Sequence, residues 1–160
     1  MLKILLIIWG LLHNILLILI FFLRFKGFEK NKDLIHKIGY FYLGLTPFAI
    51  IVWILSVINE RPSSNGIFCA VFLIYIGLET LFDFILKIDF RSIWYLAIPY
   101  LCLYYIVNYG ISVMIWAESQ PWGIVILVLW LIQLIENLFS NREPKEKNEI
   151  GNDVEKDEKS

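Results

Sequence analysis

The sequence predicts an all-α polytopic membrane protein: a bundle of five transmembrane helices, with the N-terminus outside and the C-terminus cytoplasmic. Three observations lead there. Hydrophobic residues make up 59% of the 160 residues and mean hydropathy is +0.69, well above the about 45–50% apolar content of a soluble domain. The apolar residues fall into five runs of the length needed to cross a hydrocarbon core, about 20 residues. Lys and Arg collect in alternate connections, as cytoplasmic loops do.

The first run, residues 4–23, has Arg24 at its end and no small-residue cleavage site, so it reads as a retained span and not a signal peptide. His13 and Asn14 lie at its centre. Residues 25–37, FKGFEKNKDLIHK, form a basic connection; this composition suits a solvated loop, or a short interfacial helix capped by Asn31. The second span is 38–58. Pro47 at its centre predicts a kink, because proline removes one backbone donor. NERPSSNG, residues 59–66, is a turn by composition.

The third span, 67–86, carries Glu79 and Asp83, four residues apart and so on one face of an α-helix. KIDFRS, residues 87–92, is a short charged connection. The fourth span, 93–116, holds five tyrosines, among them Tyr100 and Tyr104, together with Pro99 and Asn108. Pro121 suits the first turn of the fifth span, residues 122–139, which carries Gln133 and Glu136. Residues 141–160 are a charged cytoplasmic tail too poor in apolar groups to build a core, and read as disordered.

Orientation follows from the basic residues. With the N-terminus outside, 12 of the 14 Lys and Arg residues face the cytoplasm, and only Lys3 and Arg61 lie outside. Isoleucine- and lysine-rich usage suits an AT-rich prokaryotic genome, and the expected location is the plasma membrane of a prokaryote. A net charge of −1 gives no reason to expect nucleic acid as a partner. The expected partners are the lipid bilayer and a second copy of the chain or another membrane protein.

Polar residues inside spans are costly and mark pairing or function. At about 1.5 Å per residue from the cytoplasmic end, Glu79 and Tyr100 lie roughly 10 Å deep, Gln133 roughly 9 Å, and His13 and Asn14 about 14–15 Å. With Asp83 and Tyr104 these form the candidate intramembrane polar site. A lone ionised carboxylate at the depth of Glu79 costs roughly 2.5–3.5 kcal/mol, so Glu79 is expected to be neutral or hydrogen-bonded. Its candidate partners are Gln133, Tyr100, Tyr104, His13 and Asn14. Asp83 and Glu136 lie shallower, beside Arg24, Lys87 and Arg91, and a boundary network of ion pairs is expected there.

The catalytic inventory is thin. No Gly-rich phosphate loop, HExxH or GxSxG occurs. Two histidines and two cysteines in unrelated positions point to no metal and no cofactor. Cys69 and Cys102 sit at different depths, so no disulfide is expected. Five spans in some 160 residues is similar to the plan of the tryptophan-rich sensory (translocator) proteins, a likeness of size and span count alone. Three functions remain: a small membrane interaction or accessory protein, a proton-coupled carrier using Glu79, and an intramembrane lipid- or isoprenoid-binding protein or enzyme with Glu79 and Asp83 as its polar site.

The orientation has a direct check. In a chain whose two native cysteines are replaced by alanine, Ser64→Cys is expected to react with a membrane-impermeant maleimide in intact cells. Ser160→Cys is expected to react only after permeabilisation; the reverse pattern inverts the topology.

Overall fold

The computed structural model describes residues 1–26, 28–86, 88 and 93–140, without the side chains of 25, 28–30, 32 and 137–140. The expected tail, 141–160, and the candidate boundary residues Lys87 and Arg91 lie outside the described residues. Every regular element among the described residues is helical: α1 (Leu2–Phe25), α2 (Phe28–Leu43), α3 (Thr46–Ile58), α4 (Ser63–Glu79), a π-helical segment (Thr80–Leu86), α5 (Trp94–Glu118) and α6 (Gln120–Ser140).

Four helical stretches are long and apolar enough to cross a membrane: Leu2–Arg24, Asp33–Ile58, Ser63–Leu86 and Trp94–Glu118. In α6 the apolar stretch Gln120–Glu136 is shorter. The helices close into a ring in which α1 packs on α6, α6 on α5, α5 on α4, α4 on α3, and α3 back on α1; α1 also touches α5 across the middle.

In α1 the buried stripe is Leu2, Leu6, Trp9, His13 and Leu17, at helical spacing. The opposite stripe, Ile4, Ile8, Leu12, Ile15 and Leu19, is exposed and equally apolar. The exposed faces of α3 and α6 repeat the pattern with Ile50, Ile54 and Val57, and with Ile124, Val128, Leu131 and Ile135. Buried polar side chains meanwhile lie inside: His13, Asn14, Asn108, Ser112 and Gln133. An apolar exterior around a polar-containing interior is the distribution that a lipid solvent favours, and is far from that of a water-facing monomer.

Two expectations change. Residues 28–37, read as a connection, continue the second span as helix, so that α1 and α2 form an antiparallel hairpin. Asn31 Nδ2 donates to the Leu23 carbonyl at 3.1 Å and satisfies the last turn of α1. The second expectation changes in place only: the kink expected at Pro47 falls at the Gly44–Leu45 turn between α2 and α3. Pro47 stands in the first turn of α3, where its missing N–H costs nothing. The carbonyl that residue 47 would have served is that of Leu43, and the Thr46 hydroxyl bonds it at 2.7 Å.

The opposite end is closed by a left-handed residue and an ion pair. Glu60, at φ 50°, ends α3, with Arg61 N–H to the Ser56 carbonyl at 2.9 Å and Glu60 N–H to Val57 at 3.1 Å. Arg61 then meets Glu118 at 2.9 Å, tying the α3–α4 turn to the end of α5. Both cysteines are free, Cys69 buried and Cys102 exposed.

Close helix contact is set by glycine. A Cβ at Gly110 would strike Phe68 of α4, including its Cβ at 2.9 Å, whereas a Cβ at Gly77 meets nothing within 4 Å. Gly110→Ala is expected to destabilise by about 1–3 kcal/mol through overpacking. Gly77→Ala is expected to be neutral or to stabilise by about 0.5–1 kcal/mol. Thermal unfolding of the two detergent-solubilised variants checks the contrast.

Candidate functional site

The candidate polar residues separate into two groups, and two tyrosines absent from the sequence-based set join them. The first group is central. Tyr42, at the end of α2, brings its hydroxyl to His13 Nδ1 at 3.1 Å, and His13 Nε2 meets Asn108 Oδ1 of α5 at 3.3 Å. Asn108 Nδ2 donates to the Tyr104 carbonyl at 2.9 Å, which leaves Oδ1 as the acceptor. His13 Nε2 therefore carries the hydrogen, and Nδ1 accepts from Tyr42. One neutral tautomer satisfies both neighbours.

Asn14, next on α1, turns toward α6. Gln133 Nε2 donates to Asn14 Oδ1 at 2.5 Å and to the Asn14 carbonyl at 3.3 Å. Gln133 Oε1 accepts from the Tyr104 hydroxyl at 2.9 Å, and Asn14 Nδ2 donates to Gly10 O at 2.8 Å. The Ser112 hydroxyl returns to the Asn108 carbonyl at 2.8 Å. Through these bonds α1, α2, α5 and α6 are held in one register. His13, Asn14 and Gln133 are fully buried. Phe72 covers the group, edge-on to Trp9 at 4.9 Å and to His13 at 5.7 Å.

The second group surrounds Glu79 on α4. Tyr75, one turn earlier on the same helix, donates to Glu79 Oε1 at 3.3 Å. The Tyr100 hydroxyl of α5 donates to the same oxygen. The two phenol oxygens are 2.8 Å apart and their rings stack at 5.2 Å. Glu79 is half-buried. It stands at the junction with the π-helical segment, where the Thr80 hydroxyl back-bonds to Ile76 O at 2.8 Å. A wide i→i+5 turn is uncommon and is found often beside functional side chains. Two phenols on one carboxylate oxygen supply charge-assisted bonds to an anion. The Tyr42 and Tyr75 rings meet edge-on at 6.4 Å, joining the groups.

Of the partners expected for Glu79, Tyr100 is found beside it. Gln133, Tyr104, Asn14 and His13 bond elsewhere, as described. Asp83, half-buried, lies within the π segment, four residues after Glu79. Arg24 is in the last turn of α1. Glu136 Oε2 is buried and has no hydrogen-bond partner among the described residues, and the Arg61–Glu118 ion pair lies at the other end of the bundle. Tyr75 had a legible signal, its i−4 spacing from Glu79; Tyr42 had none, because its contact with His13 is 29 residues distant in the chain. No group of three or more His, Cys, Asp or Glu among the described residues has the arrangement of a metal site.

Comparison of the chain with protein-family models, with curated proteins and with solved structures gives no match.

The central network makes a quantitative expectation. Asn14→Leu and Gln133→Leu each strand a buried partner and are expected to cost about 1–3 kcal/mol. The double variant is expected to recover part of that, with a coupling of about 0.6–1.7 kcal/mol. A double-mutant cycle by thermal or denaturant unfolding in detergent measures it, and a coupling near zero means the pair does not hold α1 to α6.

Proposed function

We propose that the chain is a five-pass protein of a prokaryotic plasma membrane, N-terminus outside, acting as a small membrane interaction or accessory protein. The carrying observation is the division between inside and outside. The deep polar side chains of α1, α2, α5 and α6 are engaged with one another, while apolar side chains face outward on every side. Such pairs fix helix register at modest gain, leaving the outer surface and the cytoplasmic segments for contacts. The fifth span in this reading is α6, 21 residues long and packed along α1 and α5. The orientation rests on the basic residues of 24–37 and 87–91 and of the tail.

A second reading is favoured by a specific observation, the pair of phenols on Glu79 at the head of a π-helical segment. In that reading the chain is a proton-coupled carrier with Glu79 as the group protonated during the cycle. The same acid, with Asp83, would serve an intramembrane lipid- or isoprenoid-binding protein or enzyme.

Complementation of a deletion strain separates them. Under the accessory reading, Glu79→Gln restores the wild-type phenotype and removal of 141–160 does not. If Glu79→Gln fails while the protein still accumulates in membranes, the accessory reading is lost. Proton flux in proteoliposomes that disappears with Glu79→Gln then identifies the carrier.

A further inference from the structure

The break in the second span leaves a feature that neither polar group uses. Where α2 ends and α3 begins, an open groove of ≈ 470 Å³ runs between this span and α1, lined by Leu12, Leu16, Tyr40, Phe41, Gly44 and Phe48 among others. Its lining is almost wholly apolar, and its volume falls within the roughly 300–1,000 Å³ of small-ligand sites. From Tyr40 to Phe48 it extends about 12 Å along the helix axis, at about 1.5 Å per residue. The groove opens outward: Leu12, Tyr40 and Phe41 are exposed, Phe41 to 74%.

The shape has identifiable causes. Gly44 contributes no side chain at the break. Tyr40 is held to one side by Phe84, ring centroids 4.8 Å apart, and Gly39 leaves room for that ring, with Phe84 Cζ 3.1 Å from where a Cβ would lie.

The two ends of the groove differ in charge. Lys37 precedes Tyr40 and Phe41 by three and four residues, so it lies on the same helix face, one turn beyond the groove toward the α1–α2 connection. It is exposed and has neither a hydrogen bond nor an ion pair among the described residues. Further along, the Lys26 ammonium sits over the Phe22 ring at 4.6 Å. Residues 24–37 hold five basic and two acidic residues. The opposite end, at Phe48, continues into the apolar α3.

We propose that this groove is a binding site for one anionic phospholipid of the cytoplasmic leaflet, with an acyl chain lying along Leu12, Leu16, Phe41 and Phe48 and the phosphate facing Lys37. This rests on the membrane reading of the previous subsection and adds a ligand class to it. An acyl chain is the occupant that an apolar groove on a lipid-facing surface meets. The exposed lysine at one end selects the headgroup, because a basic residue at an anionic membrane surface attracts lipid phosphate. The long lysine stem places its ammonium at headgroup level while the groove stays in hydrocarbon.

Native mass spectrometry of the full chain tests this, after reconstitution in vesicles of equal parts phosphatidylglycerol and phosphatidylcholine and gentle detergent release. The wild type is expected to retain phosphatidylglycerol over phosphatidylcholine by about fivefold, the factor for one lysine near a membrane surface. Lys37→Gln is expected to level the two lipids, and Lys37→Arg to keep the preference. Leu12→Trp, at an exposed position that fills the groove without entering the core, is expected to lower retention of both. Equal retention of the two lipids by the wild type overturns the proposal, as does a preference unchanged in Lys37→Gln, or a lipid-free protein that runs as a dimer. A chain stripped from membranes by alkaline carbonate overturns the membrane reading as well, and so separates the two failures.

Discussion

The His13 ring is the point on which the bundle turns. One nitrogen accepts from Tyr42 and the other donates to Asn108, so a single neutral tautomer joins α1 to α2 and α5. A polar group removed from water without a partner costs several times what a made bond returns. That asymmetry makes the pairing a constraint on geometry. If α1 rotates or slides by one residue, His13 and Asn14 lose their partners together, since they face different neighbours: Asn14 meets Gln133 of α6. Two adjacent residues on α1 thereby set the positions of three other helices.

The same accounting governs the backbone where helices stop. The Leu43 carbonyl faces Pro47 and is served by the Thr46 hydroxyl; the Leu23 carbonyl at the end of α1 is served by Asn31; Ile76 is served by Thr80 where α4 gives way to π-helix. Irregular backbone within apolar surroundings is tolerated when side chains satisfy the freed groups. Each irregularity also changes what a neighbouring side chain does. The Gly44–Leu45 turn borders the groove beside Leu12. The π segment begins at the residue after Glu79.

Glu79 stands apart from the central network in position and in chemistry. The central groups are amides, phenols and one imidazole, each with a complementary partner, and their arrangement is complete without a ligand. Glu79 is half-buried, near the end of its α-helix, and held by phenols that also contact each other. The rings of Tyr42 and Tyr75 form the contact between the two groups.

The apolar runs and the polar members His13, Asn14, Glu79, Tyr100, Tyr104 and Gln133 were legible in the sequence, because chain-local hydropathy and the cost of burying polar atoms do not depend on packing. The charges of 28–37 left loop and interfacial helix both open, and the helix runs on into the second span. Partner assignment was beyond the sequence altogether. Depth alone admitted five candidates for Glu79, and the choice among them depends on how each helix is rotated about its axis. That rotation is decided by contacts distant in the chain, such as Phe68 against Gly110 and Ile115 against Gly10. The sequence by itself determined an apolar helical chain carrying a particular set of buried polar groups. Only the tertiary structure decided which of them meet, because a hydrogen bond across helices requires angle and register that no single helix contains.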